Sequence, residues 1–207
     1  MDHEYSVLGG VNRATVGRYL SIAASVIAAL IGAAVVFFVE IAKKYGFNEY
    51  IPGLVLWPLT AGFIYTVLYW WFESAAWKWP KLSSLLKVPN IAGTWECSGQ
   101  SRFSDGTTGE VWNGEIKINQ SWDKLRVTLK TKRAGSTSIA AALVSDQAGG
   151  FRLLYNYKND PNIDEPLLIA HRGAAELVFS EDLNSAEGSY FNGYGHYTFG
   201  VMKLKRK

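Results

Sequence analysis

Arginines and aromatic rings recur together in the second half of this sequence. Arg102, Arg126, Arg152 and Arg172 fall beside or opposite Trp95, Trp112, Tyr155, Tyr157, Tyr190, Tyr194 and Tyr197 when the chain is laid out as alternating strands. A guanidinium is a planar fork of donors matched to phosphate or carboxylate. An aromatic face stacks on another flat ring. Together they offer what a nucleotide ligand needs, although each type is also common on any strand-rich surface or core. The densest stretch is "SYFNGYGHYTFG", residues 189–200. Its Asn192-Gly193 pair signals a tight hairpin. Alternation puts Tyr197 and Phe199 on one face of the following strand, and His196 and Thr198 on the other. The side chains expected to face a ligand are Arg102, Trp112, Arg126, Arg152, Tyr155, Tyr157, Tyr190, Asn192, Tyr197 and Thr198.

Patterns for bond-making chemistry are missing. His3, His171 and His196 are scattered, and no H-E-x-x-H or paired-cysteine spacing offers a metal site. Neither a G-x-S-x-G elbow nor a phosphate-cradling G-x-x-x-x-G-K loop occurs. The S-x-x-K match at Ser84–Lys87 lacks its companion elements. Most carboxylates, such as Asp105, Asp123, Asp160, Asp164 and Asp182, fall in turns, where solvation is the default. A binding protein is expected, with no catalytic residue, no metal and no cofactor beyond a bound ligand.

The elements that must position these residues are strands. From Pro89 onward the pattern is period-two alternation broken by turn residues. Eight strands are expected at 91–101, 108–119, 124–133, 136–146, 150–158, 167–180, 185–191 and 196–206. Links such as "SDGTTG", "RAGS" and "NGYG" separate them. Short strands with short links suit an antiparallel up-and-down barrel, which removes exposed edges. Such a barrel is just wide enough for packed side chains or one small ligand. A two-sheet sandwich is the alternative. The segment "IAGTWECSG" resembles the G-x-W signature of lipocalin-like barrels, in which the tryptophan closes one end.

The first 89 residues read differently. Residues 19–39 and 51–72 are uncharged runs, each long enough to cross the hydrocarbon core of a bilayer as a helix. The short link between them forces a hairpin. The first starts too late and runs too long for a cleaved signal peptide. Lys43 and Lys44 lie in the link. Arg13, Arg18, Lys78, Lys81 and Lys87 flank the outer ends, so the positive-inside rule places both termini in the cytoplasm. Trp70, Trp71, Trp77 and Trp79 suit an interfacial belt. Small residues at Ala24, Ala28 and Gly32 suit close helix contact, within the hairpin or between copies. Neither span holds an ionisable residue, which argues against a carrier or pump. The expected division is 1–18 cytoplasmic segment, 19–72 membrane hairpin, 73–89 interfacial linker and 90–207 barrel.

Charge adds exclusions. Lys+Arg number 21 against 18 Asp+Glu, a formal net charge of +3, too mild for a protein that binds nucleic-acid polymers. The single cysteine, Cys97, cannot form an internal disulfide.

Two N-terminal spans, a basic and aromatic link, and a barrel running from "VPNIAGTWECSG" to "YGHYTFGVMKLKRK" resemble a known family. It comprises the two-transmembrane, β-strand-rich effectors associated with CD-NTases, of the CD-NTase-associated protein 15 type. The resemblance covers the whole chain. It implies a role in cyclic-oligonucleotide-based antiphage (CBASS) defence. A partner CD-NTase makes a cyclic dinucleotide, the barrel binds it, the effector forms a homo-oligomer, and the spans disrupt the inner membrane lipid bilayer. The infected cell dies. Two other readings stay open from the residues alone: a membrane-tethered, lipocalin-like carrier of a lipid or other apolar molecule, and a structural adaptor with a filled barrel.

Overall fold

The computed structural model describes residues 2–46, 60–103, 105–145, 150–162, 170–193 and 197–207. The chain forms two compact units, Val11–Trp77, and Met1–Gly10 together with Lys78–Lys207.

The first unit is helical. α1 runs Arg13–Lys44, 32 residues, or roughly 48 Å at 1.5 Å per residue. Asn12 caps it, its side chain accepting from the Ala14 N–H at 2.8 Å. Lys43 and Lys44 close the last turn, where cations complement the helix dipole. Among the described residues, α1 is the one helix long and apolar enough to cross a membrane. Of the second expected span only the later part is described, as α2, Ala61–Ser74, capped by Thr60; residues 51–59 lie outside the described residues. Hydroxyls in both helices bond to their own backbones. Ser25 Oγ donates to the Ser21 carbonyl at 3.0 Å, and Thr66 Oγ1 to the Gly62 carbonyl at 2.9 Å. That satisfies them without water. α1 packs on α2. Ala24 is buried and Ala28 and Gly32 are half-buried, so the small-residue row expected to mediate self-association is partly covered within the chain. Ser21, Ser25, Ala29 and Ala33 remain exposed.

In the second unit, α3 (Pro80–Leu86) starts with proline in its first turn and ends at Lys87 in the left-handed region, φ 54°. Among the described residues nine strands follow the chain order: β1 His3–Leu8, β2 Gly93–Arg102, β3 Thr108–Gln120, β4 Lys124–Thr131, β5 Ala134–Ser145, β6 Phe151–Pro161, β7 His171–Phe179, β8 Ser185–Asn192 and β9 Phe199–Arg206. They form one sheet that closes as a barrel in the order β1-β4-β3-β2-β9-β8-β7-β6-β5. The eight strands expected from the sequence are all present. The ninth, β1, lies in residues expected to be a cytoplasmic tail. The barrel is therefore not purely up-and-down and antiparallel.

The reason is a seam. β4 and β5 pair at Thr128–Lys130 with Gly135–Thr137, then part. β1 fills the gap. It pairs with β4 antiparallel at His3↔Leu125 and Glu4↔Lys124, and with β5 in parallel from Tyr5↔Ala141 to Leu8↔Val144. A register shift between Ser138 and Ala140 bends β5 where β1 enters.

One end of the barrel is sealed by large apolar side chains. Trp95, of the G-x-W segment, is fully buried. Its ring meets Phe179 edge-on at 5.4 Å, and the Arg206 guanidinium lies over it at 4.7 Å. Arg206 also donates to the Asn90 and Ala92 carbonyls at 3.0 and 3.1 Å, which pins the last strand over that end. Ile91, Ile118, Trp122, Leu125, Leu143 and Leu177 complete the core. Cys97 faces inward beside them in parity; burial pushes its thiol up to about 12.

Candidate functional site

The other end holds a cavity of about 190 Å³. Four rings line it: Trp112 from β3, Tyr155 and Tyr157 from β6, and Tyr190 from β8. Three of these face a glycine directly across the sheet, in the pairs Trp112↔Gly99, Tyr157↔Gly173 and Tyr190↔Gly200. A Cβ on Gly99 would collide with the Trp112 indole. On Gly173 it would lie 2.5 Å from the Tyr157 ring, and on Gly200 2.7 Å from that of Tyr190. Glycine therefore lets each ring lie down against the wall, leaving the centre of the barrel open.

Hydrogen bonds fix the rings. Trp112 Nε1 donates to Tyr190 Oη at 3.0 Å, and that oxygen also meets Ser101 Oγ at 3.0 Å. Tyr157 Oη donates to Asn192 Oδ1 at 2.7 Å, and Asn192 Nδ2 donates to Thr198 Oγ1 at 2.9 Å. Burial raises the phenols of Tyr155 and Tyr157 well above the ordinary tyrosine value, so both stay neutral donors.

Two further hydroxyls stand out. Tyr155 is 6 % exposed and Ser136 8 %, both line the cavity, and among the described residues neither hydroxyl has a hydrogen-bond partner. The residues are buried but their oxygens are accessible from the cavity, so both hydroxyls open onto it. At the rim, Arg133 Nη1 bonds Glu110 Oε2 at 3.1 Å, with His171 and Asn159 nearby in the lining. The arrangement offers stacking faces, neutral donors and acceptors, and one cationic fork. Among the described residues no group of three His, Cys, Asp or Glu side chains can hold a metal.

Of the ten side chains expected to face a ligand, Trp112, Tyr155, Tyr157, Tyr190 and Asn192 line this cavity, and Thr198 adjoins it through Asn192. The other four do not reach it. Arg126 and Arg152 alternate with the inward Leu125, Val127 and Leu153, so they point outward. There Arg126 faces Asp2 at 3.6 Å and Arg152 bonds Glu176 at 3.1 Å. Arg102 follows inward Ser101 and is exposed, and Tyr197 is 77 % exposed. Tyr194 and His196 lie outside the described residues. Sequence reasoning missed Ser136, Asn159, Arg133, Glu110 and His171. For Ser136 a signal was present: it is a polar residue at a core position of an alternating strand. Arg133 and Glu110 flank turns and carry no such mark.

Comparison with known proteins covers both units. The family model "Cap15, cyclic dinucleotide receptor domain" matches residues 86–206, and "Cap15, TM helices" matches residues 14–78. The chain is 44% identical over 204 residues to CD-NTase-associated protein 15 of Yersinia aleksiciae, covering 99% of this chain and 97% of that protein. Agreement at that level across the helices and the barrel alike makes this chain a member of the CD-NTase-associated protein 15 family.

Proposed function

We propose that this protein is the membrane effector of a CBASS antiphage system, and that its barrel cavity receives a cyclic dinucleotide made by a partner CD-NTase. The observation that carries this reading is the pair of hydroxyls of Tyr155 and Ser136, which open onto the ring-lined cavity with no partner among the described residues. Rings stack on a nucleobase, and the hydroxyls bond its polar edge. The family description as a cyclic dinucleotide receptor supports the same ligand class. Ligand pockets commonly hold roughly 300–1,000 Å³, and this cavity holds about 190 Å³. It therefore seats one base, with the phosphates at the rim near Arg133. An apolar lipid would want a dry wall throughout, whereas Ser136, Asn159 and Asn192 set polar groups into this largely apolar one.

Binding then drives homo-oligomerisation and disruption of the inner membrane through the spans, killing the infected cell. A ligand shifts an equilibrium only by its differential affinity, so it must bind the assembled state more tightly. Both termini face the cytoplasm, where the ligand is made. Titration calorimetry of the full chain in lipid nanodiscs against a panel of cyclic di- and trinucleotides tests the core claim. Saturable heat with one of them is expected; no heat with any overturns it.

A further inference from the structure

We propose that β1 is the coupling strand of this protein, carrying the state of the cavity wall into the first membrane helix. This rests on the reading of the cavity as the ligand site.

Aromatic residues and Cys97 aside, three polar side chains are buried among the described residues: Gln120, Ser136 and Ser138. Ser136 lines the cavity. Ser138 follows two residues later on the same face of β5 and fastens β1. Its Oγ accepts the Val127 N–H at 2.9 Å and lies 2.7 Å from His3 Nε2. The cavity wall and the attachment of β1 are thus consecutive inward positions of one strand, just before its bulge. The opposite side of the seam is close to the cavity as well. Leu129 and Thr131 of β4 line it, Leu125 and Lys124 pair with β1, and Val127 between them bonds Ser138. The two strands that open to admit β1 are the two whose hairpin forms a wall of the cavity.

Gln120 fastens the other part of β1. Its Oε1 accepts the Ile91 N–H at 2.9 Å, and its Nε2 donates to the Pro89 carbonyl at 3.0 Å and faces Tyr5 Oη at 3.4 Å. Tyr5, 3 % exposed, in turn donates to the Ser121 carbonyl at 3.3 Å. One buried amide therefore touches the strand by which the chain leaves the barrel and the segment by which it returns. Gly10 closes the same corner, since a Cβ there would lie 2.6 Å from Val7 Cγ1 and 3.0 Å from the Leu86 carbonyl. Only Val11 and Asn12 then precede α1.

Directional hydrogen bonds hold a strand in one register or another rather than letting it drift. A shift of the β4–β5 hairpin thus changes the setting of β1 discretely. The alternative is that β1 only plugs the seam.

Amide hydrogen exchange of the full chain in lipid nanodiscs decides between them without any ligand. Leu129→Ala alters the cavity wall, and Val178→Ala on the exposed face of β7 is the control. Leu129→Ala is expected to speed exchange of residues 5–8 several-fold while residues 173–178 change little, and the control leaves residues 5–8 as they were. Unchanged residues 5–8 in Leu129→Ala overturn the proposal. In a second arm, His3→Ala removes one fastener and leaves the Ser138–Val127 bond intact. For whichever cyclic nucleotide of the calorimetric panel binds, the variant is expected to shift affinity several-fold, because coupling is reciprocal, and to blunt ligand-driven assembly read by cross-linking. Assembly with wild-type affinity and ligand dependence overturns it. If nothing in the panel binds the wild type, the ligand reading falls, and the exchange arm still decides whether wall and strand are coupled.

Discussion

Trp112 and Gly99 face each other across β2 and β3, and the indole fills the space that a Cβ at 99 would need. Gly99→Ala should push the ring off the wall and break its bond to Tyr190. Overpacking of this kind costs about 1–3 kcal/mol. The check is the thermal midpoint of the full chain in detergent, together with tryptophan emission. Ligand affinity should fall alongside stability.

Tyr155→Phe and Ser136→Ala should separate affinity from stability. Each removes a hydroxyl that opens onto the cavity and bonds nothing among the described residues. Both variants are therefore expected to unfold close to the wild-type midpoint. If the hydroxyls bond the ligand, each loss weakens binding by roughly two- to tenfold. Calorimetry and denaturant unfolding on the same preparations test both halves.

Arg133 and Arg152 should behave differently although the same residue type is changed. Arg133 sits at the cavity rim with Glu110, whereas Arg152 is paired with Glu176 on the outer face. Arg133→Ala is expected to weaken ligand binding and to flatten its salt dependence, since an exposed cation acts on phosphate through a screened field. Arg152→Ala should leave the binding isotherm unchanged. Titrations at low and high salt distinguish the two.

The Glu115–Lys207 pair gives a pH signature. Lys207 Nζ donates to Glu115 Oε2 at 2.6 Å. That hydrogen bond, then the charge, lowers the Glu115 pKa, and the same contact raises that of Lys207. A carboxylate with a depressed folded pKa contributes stability above its unfolded value and loses it as pH falls through the folded one. A lysine with a raised pKa contributes below its unfolded value and loses it as pH rises through the folded one. Glu115→Gln should therefore differ most from wild type near neutrality and converge with it in acid. Both groups are exposed, so the difference is small and shrinks in high salt. Melting curves from pH 3 to 8 provide the measurement.

Much of this architecture was legible because alternation is a local property. In β6, Leu153, Tyr155 and Tyr157 are buried and their neighbours exposed, as the sequence pattern requires. The same rule rejects Arg126 and Arg152, because a residue type suited to phosphate says nothing about which face it occupies. β1 escaped because its six residues gain their role only from the gap between β4 and β5, a long-range event with no local mark. The glycine opposite each ring belongs to the same class. Gly99 and Trp112, or Gly173 and Tyr157, sit on neighbouring strands, and only the register makes them partners.

Cys97 is the chain's single thiol, 3 % exposed, with its pKa pushed up to about 12. At pH 8 its reactive thiolate is thus roughly one part in ten thousand. Oxidants and alkylating reagents have almost nothing to attack while the strands stay closed. The thiol becomes ordinary only when the interior meets water. Its alkylation therefore keeps time for transient openings of the barrel wall.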